Sequence, residues 1–116
     1  MKLKLGELVQ AKDGLVQLSQ KELPIKSAYK ISRILKAASS ELENYEEQRT
    51  KLIKKLGKEE GGNISVPPEK KEEFIKELEG LLEVEVDINA EKIDVKEFGN
   101  ISISPGVLVK LDPFFE

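Results

Sequence analysis

Between Pro24 and Leu56 the chain holds no second proline and no glycine. Within that stretch Ala28, Ile31, Leu35, Ala38, Leu42, Tyr45, Arg49, Leu52 and Leu56 recur in alternating steps of three and four. This is the heptad seam of an amphipathic α-helix. At about 1.5 Å per residue such a helix is about 50 Å long, so the rest of a 116-residue chain must arrange itself around one rod. Pro24 fits a first helical turn, where its missing N–H loses no partner. Gly57 follows the last periodic residue, the place of a left-handed C-cap. Lys51, Lys54 and Lys55 suit the negative end of the helix dipole, and Glu47 and Lys51 form a favourable i,i+4 pair.

The seam changes width along its length. It is broad at Ile31, Ile34 and Leu35, and broad again at Leu52, Ile53 and Leu56. Between them it narrows to Ala38, Leu42 and Tyr45, with Arg49 standing where an apolar residue is due. A broad face buries against a globular core, whereas a narrow one makes a coiled-coil-type contact. Leu42, Tyr45, Arg49 and Leu52 are therefore the candidate interface residues. The contact is either with the chain's own shorter helices or with another chain, a homodimer included. Arg49 fits either, since its stem packs while its head reaches water or a glutamate.

The flanking segments supply those shorter helices. Leu5, Leu8, Ala11, Leu15 and Leu18 follow helical spacing, although Asp13-Gly14 is also a hairpin turn signal. One helix, or two broken near Gly14, is the favoured reading. Gly57 to Glu69 reads as a loop with a flexible Gly61-Gly62 pair. Pro68 then opens a helix whose apolar face is Phe74, Ile75, Leu78, Leu81 and Leu82. Laid end to end and antiparallel, the two shorter helices would cover one side of the long one. "EVEVDI" (83–88) alternates strictly and predicts a half-buried strand, with "KIDV" and "ISIS" as pairing partners. Ser104 and Pro105 open a short terminal helix that ends before Pro113. The fold class is mainly α (α+β): a long central helix in a helical hairpin or three-helix arrangement, with a small C-terminal β element and a short terminal helix. The chain reads as a single domain, with a helical region over 1–57, a loop over 58–67, and a helix plus small sheet over 68–116.

Composition narrows the function classes. There is no cysteine and no histidine. That removes thiolate chemistry, disulfides, the commonest general base and the commonest metal ligand. Any enzyme here would have to work with Asp, Glu, Lys, Tyr or Ser, and no catalytic motif, cofactor-binding motif or small-molecule site is evident. No apolar run nears the ~20 residues that span a bilayer. The opening residues also lack the apolar core of a signal peptide, so the chain reads as intracellular. Charge is unevenly spread. Residues 1–57 hold 12 Lys and Arg against 7 Asp and Glu, and residues 58–116 hold 7 against 15. Either the halves pack with complementary surfaces, or one half attracts an outside partner. The net charge of −3 argues against nucleic acid.

Lys26, Lys30 and Arg33 share one face of the long helix, with Lys36 nearby. They form a candidate contact face for phosphate or an acidic partner, against the plainer reading of a solvated face or pairing with the acidic half. Glu83, Glu85 and Asp87, with Asp94, have the chemistry for a hard cation but lack a fixed-spacing loop, so the expectation is no metal. Phe114 and Phe115 read as an anchor onto the core or as a docking tail.

Three stretches, "KELPIKSAYKISRILKAASSELENYEEQRTKLIKKLG", "VPPEKKEEFIKELEGLLEVEVDI" and "ISPGVLVKLDPFFE", resemble an uncharacterised family of small bacteriophage and prophage proteins. Together they cover most of residues 21–116. The resemblance implies a mobile-element product in a bacterial cytoplasm or a virion, with no activity and no functional residue to carry over. The expectation is a non-enzymatic interaction or assembly protein. The alternatives are a small regulator that binds a host protein or nucleic acid through its charged halves, and, last, a carboxylate-based enzyme.

Overall fold

A computed structural model describes residues 1–116. Its order is β1 (Lys2–Lys4), α1 (Leu5–Ser19), α2 (Ile25–Leu56), β2 (Lys58–Glu60), β3 (Asn63–Ser65), α3 (Lys71–Leu82), β4 (Glu85–Asp87) and α4 (Pro105–Leu111). Turns of 3₁₀ helix at Pro68–Lys70, Val95–Phe98 and Asp112–Phe114 complete it. The chain is mainly α with two small sheets. The 32 residues of α2 rise about 48 Å and run the length of a molecule measuring 50 × 27 × 22 Å. The radius of gyration is 17.0 Å, against about 13 Å for a compact chain of this length.

The excess length has a structural cause. α1 and α3 lie end to end along α2, as the helix lengths predict. They meet where Gly6 backs onto Leu82: a Cβ at Gly6 would sit 3.2 Å from the Leu82 carbonyl oxygen. Around α1 and the first half of α2 lies a closed core, built from Leu3, Leu8, Leu15, Leu18, Ile31, Ile34, Val86, Ile93, Phe98, Leu111 and Phe114, among others. Beyond Tyr45, α2 packs against α3 and the β2–β3 hairpin, and α3 has no fully buried residue. The molecule is thus a globular head with a thin two-helix arm.

α1 runs unbroken through Asp13-Gly14. Gly14 is tolerated there because α4 crosses it, and a Cβ would stand 3.1 Å from two Leu111 carbons. The Lys4 N–H donates to Glu7 Oε1 at 2.9 Å, which satisfies one backbone donor at the start of the helix.

Four expectations are corrected. Residues 58–65 form a β-hairpin rather than a flexible loop, and Gly61 and Gly62 take φ of 56° and 85° at its turn. Two successive positive φ values match the twist of a two-residue hairpin, and glycine adopts them without steric cost. Gly57 is extended (φ −85°, ψ 164°) rather than left-handed. Close approach requires glycine here: a Cβ would collide with the Ile53 carbonyl and lie 2.6 Å from Ile64 Cγ2. The "EVEVDI" strand pairs with the N-terminus instead of with "KIDV" or "ISIS", in the antiparallel register Lys2↔Asp87, Leu3↔Val86, Lys4↔Glu85. Leu3 and Val86 bury together while lysines face carboxylates across the outer side; of "KIDV", only Ile93 makes an isolated bridge, to Phe115. Finally, Ala28 is exposed, and α2 buries Ser27, Ile31 and Ile34 at its start. Its stripe is rotated because the Ser27 hydroxyl donates to the Glu97 carbonyl.

α4 begins as its sequence predicts, with Ser104 at the N-cap and Pro105 in the first turn. Phe114 is buried in the core, and Phe115 meets Phe98 edge to face at 5.7 Å.

Candidate functional site

The three cations Lys26, Lys30 and Arg33 all line one groove of about 850 Å³. α2 forms one wall, with Ile25 and Tyr29 interleaved among the cations. The segment from Asp87 to Glu91, at and after the end of β4, forms the other, and Met1 also lines it. The β1–β4 pairing places this second wall. The Met1 nitrogen donates to the Ile88 carbonyl at 2.7 Å, and the Ile88 N–H donates back to the Met1 carbonyl at 2.8 Å. Ile88 points into the core, so Asp87, Asn89 and Glu91 face outward.

The groove's cations differ in their partners. Lys30 Nζ donates to both Glu97 carboxylate oxygens, at 3.0 and 3.1 Å. That hydrogen bond, together with the carboxylate charge, raises the lysine's pKa above its ordinary value against an opposing desolvation effect. Lys26 and Arg33 make no ion pair within 4.0 Å. On the opposite wall Asp87 Oδ1 lies 3.6 Å from the Met1 nitrogen, and Glu91 makes no ion pair. The apolar members stand out most: Ile25 is 85% exposed and Tyr29 62% exposed. Periodicity could not flag either, because both lie off the α2 seam.

The narrow seam residues are placed differently. Tyr45 is 8% exposed and belongs to the chain's own core, with Leu42 packed against that core. Arg49 is partly exposed, 3.8 Å from Glu46 on the same helix. Leu52 lies in a shallow groove between α2 and α3 beside Leu81, where Lys55 and Glu77 approach to 3.7 Å.

The acidic residues serve local structure. Glu83 Oε2 accepts from Lys4 Nζ at 2.8 Å, and that hydrogen bond and charge raise the Lys4 pKa. Asp94 Oδ1 accepts the Lys96 N–H at 2.9 Å and so caps the Val95–Phe98 turn. Glu83, Glu85, Asp87 and Asp94 do not converge on a common point that could hold a metal ion. No helix is long and apolar enough to cross a membrane.

Four ion pairs join the basic first half to the acidic second half: the Met1 ammonium with Asp87, Lys4–Glu83, Lys30–Glu97 and Lys55–Glu77. The complementary packing of the halves, one of the two readings of the charge asymmetry, is thus realised along the molecule. Comparison with protein-family models, curated proteins and solved structures finds no match.

Proposed function

We propose that this chain is a non-enzymatic interaction protein whose docking surface is the groove at the start of α2. The carrying observation is the coincidence of two costly features in one concave place. Ile25 and Tyr29 stand in water beside two cations, Lys26 and Arg33, that the fold leaves without a counter-charge. Large apolar groups gathered in a groove mark interaction surfaces more often than isolated exposed ones do, and tyrosine and arginine are the residue types enriched at such contacts. The resemblance to small phage and prophage proteins supports an assembly or accessory role as the setting, in a bacterial cytoplasm or a virion.

The reading is tested by placing a photo-reactive phenylalanine analogue at position 29 and, as a control, at Val16, which is also exposed but lies on α1. Irradiation in cells should give a discrete adduct from position 29 and none from position 16. Absence of an adduct at position 29 would overturn the reading. Ile25→Ser and Tyr29→Ser should each change stability by no more than about 0.5 kcal/mol, as surface substitutions do, while abolishing the adduct formed from a neighbouring position such as Lys26.

A further inference from the structure

The groove's two walls carry opposite charge. Lys26 and Arg33 lie on the α2 wall, and Asp87 and Glu91 on the wall that follows β4. Lys26 and Arg33 are seven residues apart, two helical turns or about 10 Å. No ion pair within 4.0 Å bridges the walls, and Lys30, which also lines the α2 wall, is held by Glu97. Ile25 and Tyr29 on the α2 wall and Ala90 on the other supply apolar lining to the groove.

This pattern discriminates among occupants. An acidic segment laid in the groove would meet Asp87 and Glu91, and a basic one would meet Lys26 and Arg33. A purely apolar one would strip water from Lys26, Arg33 and Glu91 without pairing them, Asp87 alone being already met by the Met1 ammonium. The surface that fits carries both signs in the reverse order, with apolar groups beside them. A second copy of this chain, turned through a two-fold axis, supplies that surface by symmetry, because in such an interface residue i meets j while j meets i. We propose that the groove at the start of α2 is the self-association surface of this protein. In the dimer Arg33 of each protomer faces Glu91 of the other, and Ile25 and Tyr29 pack about the axis. This inference rests on the reading of the groove as a docking surface and names its partner.

The test is sedimentation velocity of the full chain from about 1 μM to about 1 mM, the range in which interfaces below standard size associate. Wild type should pass from monomer to dimer, with the transition moving to higher concentration as salt is raised. Arg33→Glu and Glu91→Arg should each weaken dimerisation by about 100-fold or more, because each places like charges opposite one another twice. Mixing the two variants should restore a dimer, since each protomer then meets an opposite charge at both positions. That recovery separates a lost interface from a lost fold. A wild type that stays monomeric to the highest concentration would overturn the inference, as would a dimer indifferent to both reversals or a mixture that fails to recover. If the chain is monomeric but position 29 still cross-links to a different protein, the docking surface stands and the second copy is refuted. If position 29 forms no adduct at all, both fall.

Discussion

Gly14 and Leu111 make one packing decision that a double-mutant cycle can isolate. A glycine inside a helix costs about 1 kcal/mol relative to alanine, so on propensity alone Gly14→Ala should stabilise α1. The structure opposes this, because the new methyl would stand 3.1 Å from Cδ2 and from Cγ of Leu111, and 3.4 Å from its Cδ1. Leu111 is fully buried, so it has little room to retreat. Overpacking of this kind costs about 1–3 kcal/mol, which leaves Gly14→Ala destabilising by about 0–2 kcal/mol in the wild-type background. Leu111→Ala removes the three atoms in question and should cost about 2–5 kcal/mol. In that background Gly14→Ala meets no obstruction and should stabilise by about 1 kcal/mol. The predicted coupling is therefore about 1–3 kcal/mol, within the range found for residues in contact. Urea denaturation followed by circular dichroism measures all four corners, since about 6–17 kcal/mol of total stability for a chain of this length tolerates the losses. If Gly14→Ala has the same effect in both backgrounds, the crossing of α4 over Gly14 does not explain the glycine.

Gly57→Ala should destabilise by about 1–3 kcal/mol despite an ordinary backbone conformation, because its Cβ collides with the Ile53 carbonyl and Ile64. A melting temperature unchanged in this variant would refute the close approach. Lys30, whose pKa the Glu97 hydrogen bond raises, contributes stability that is fully present below the ordinary lysine value of about 10.4. That contribution is lost as pH rises through the higher folded-state value. The melting-temperature gap between wild type and Lys30→Met should therefore be constant near neutrality and close above pH ~10.4; a gap that persists in strong alkali would refute the pairing. Amides of α3, which buries no residue fully, should exchange with deuterium faster than those between Leu8 and Leu18 of α1, measured by mass spectrometry after proteolysis. Equal protection would mean that the arm is not the weaker part of the fold.

The elements legible in the sequence are those whose evidence is local and repeated. α2 declares itself through nine periodic positions with no breaker, and the end-to-end placement of α1 and α3 follows from length alone. What escaped had its cause far away in the chain. β1 is three residues long, too short for periodicity to register. Its partner lies more than 80 residues on, so only the match between "KLK" and "EVD", alternating with opposite charge, could have signalled the pair. Gly57 has close contacts, not a handedness, as its reason: the Ile53 carbonyl one turn back, and Ile64, which only the hairpin brings near. The rotation of the α2 stripe from Ala28 to Ser27 depends on a carbonyl at Glu97, 70 residues away. The same distinction governs the site: Lys26, Lys30 and Arg33 are local and were visible as a face. Ile25 and Tyr29 lie off the seam, and the acidic wall that makes a groove of their surroundings arrives only with the β1–β4 pairing.

The charge asymmetry between the halves first offers two readings, internal pairing or an outside partner, and the structure realises the first for some of the lysines. Lys4, Lys30 and Lys55 each meet a glutamate of the second half, one at the head, one at the start of α2 and one on the arm. Internal pairing therefore accounts for cations spread over the whole molecule, and a solvated face accounts for those scattered singly. Internal pairing does not reach Lys26 and Arg33. They flank the exposed Tyr29 on one face of one helix, across a groove from Glu91, which has no ion pair of its own. Had the fold required these charges for its own stability, closing the groove would have brought the walls into contact, as Lys30 and Glu97 are brought into contact one turn away. The groove stays open while Lys26, Arg33 and Glu91 make no ion pair, and these are the charges that the proposed docking surface would use.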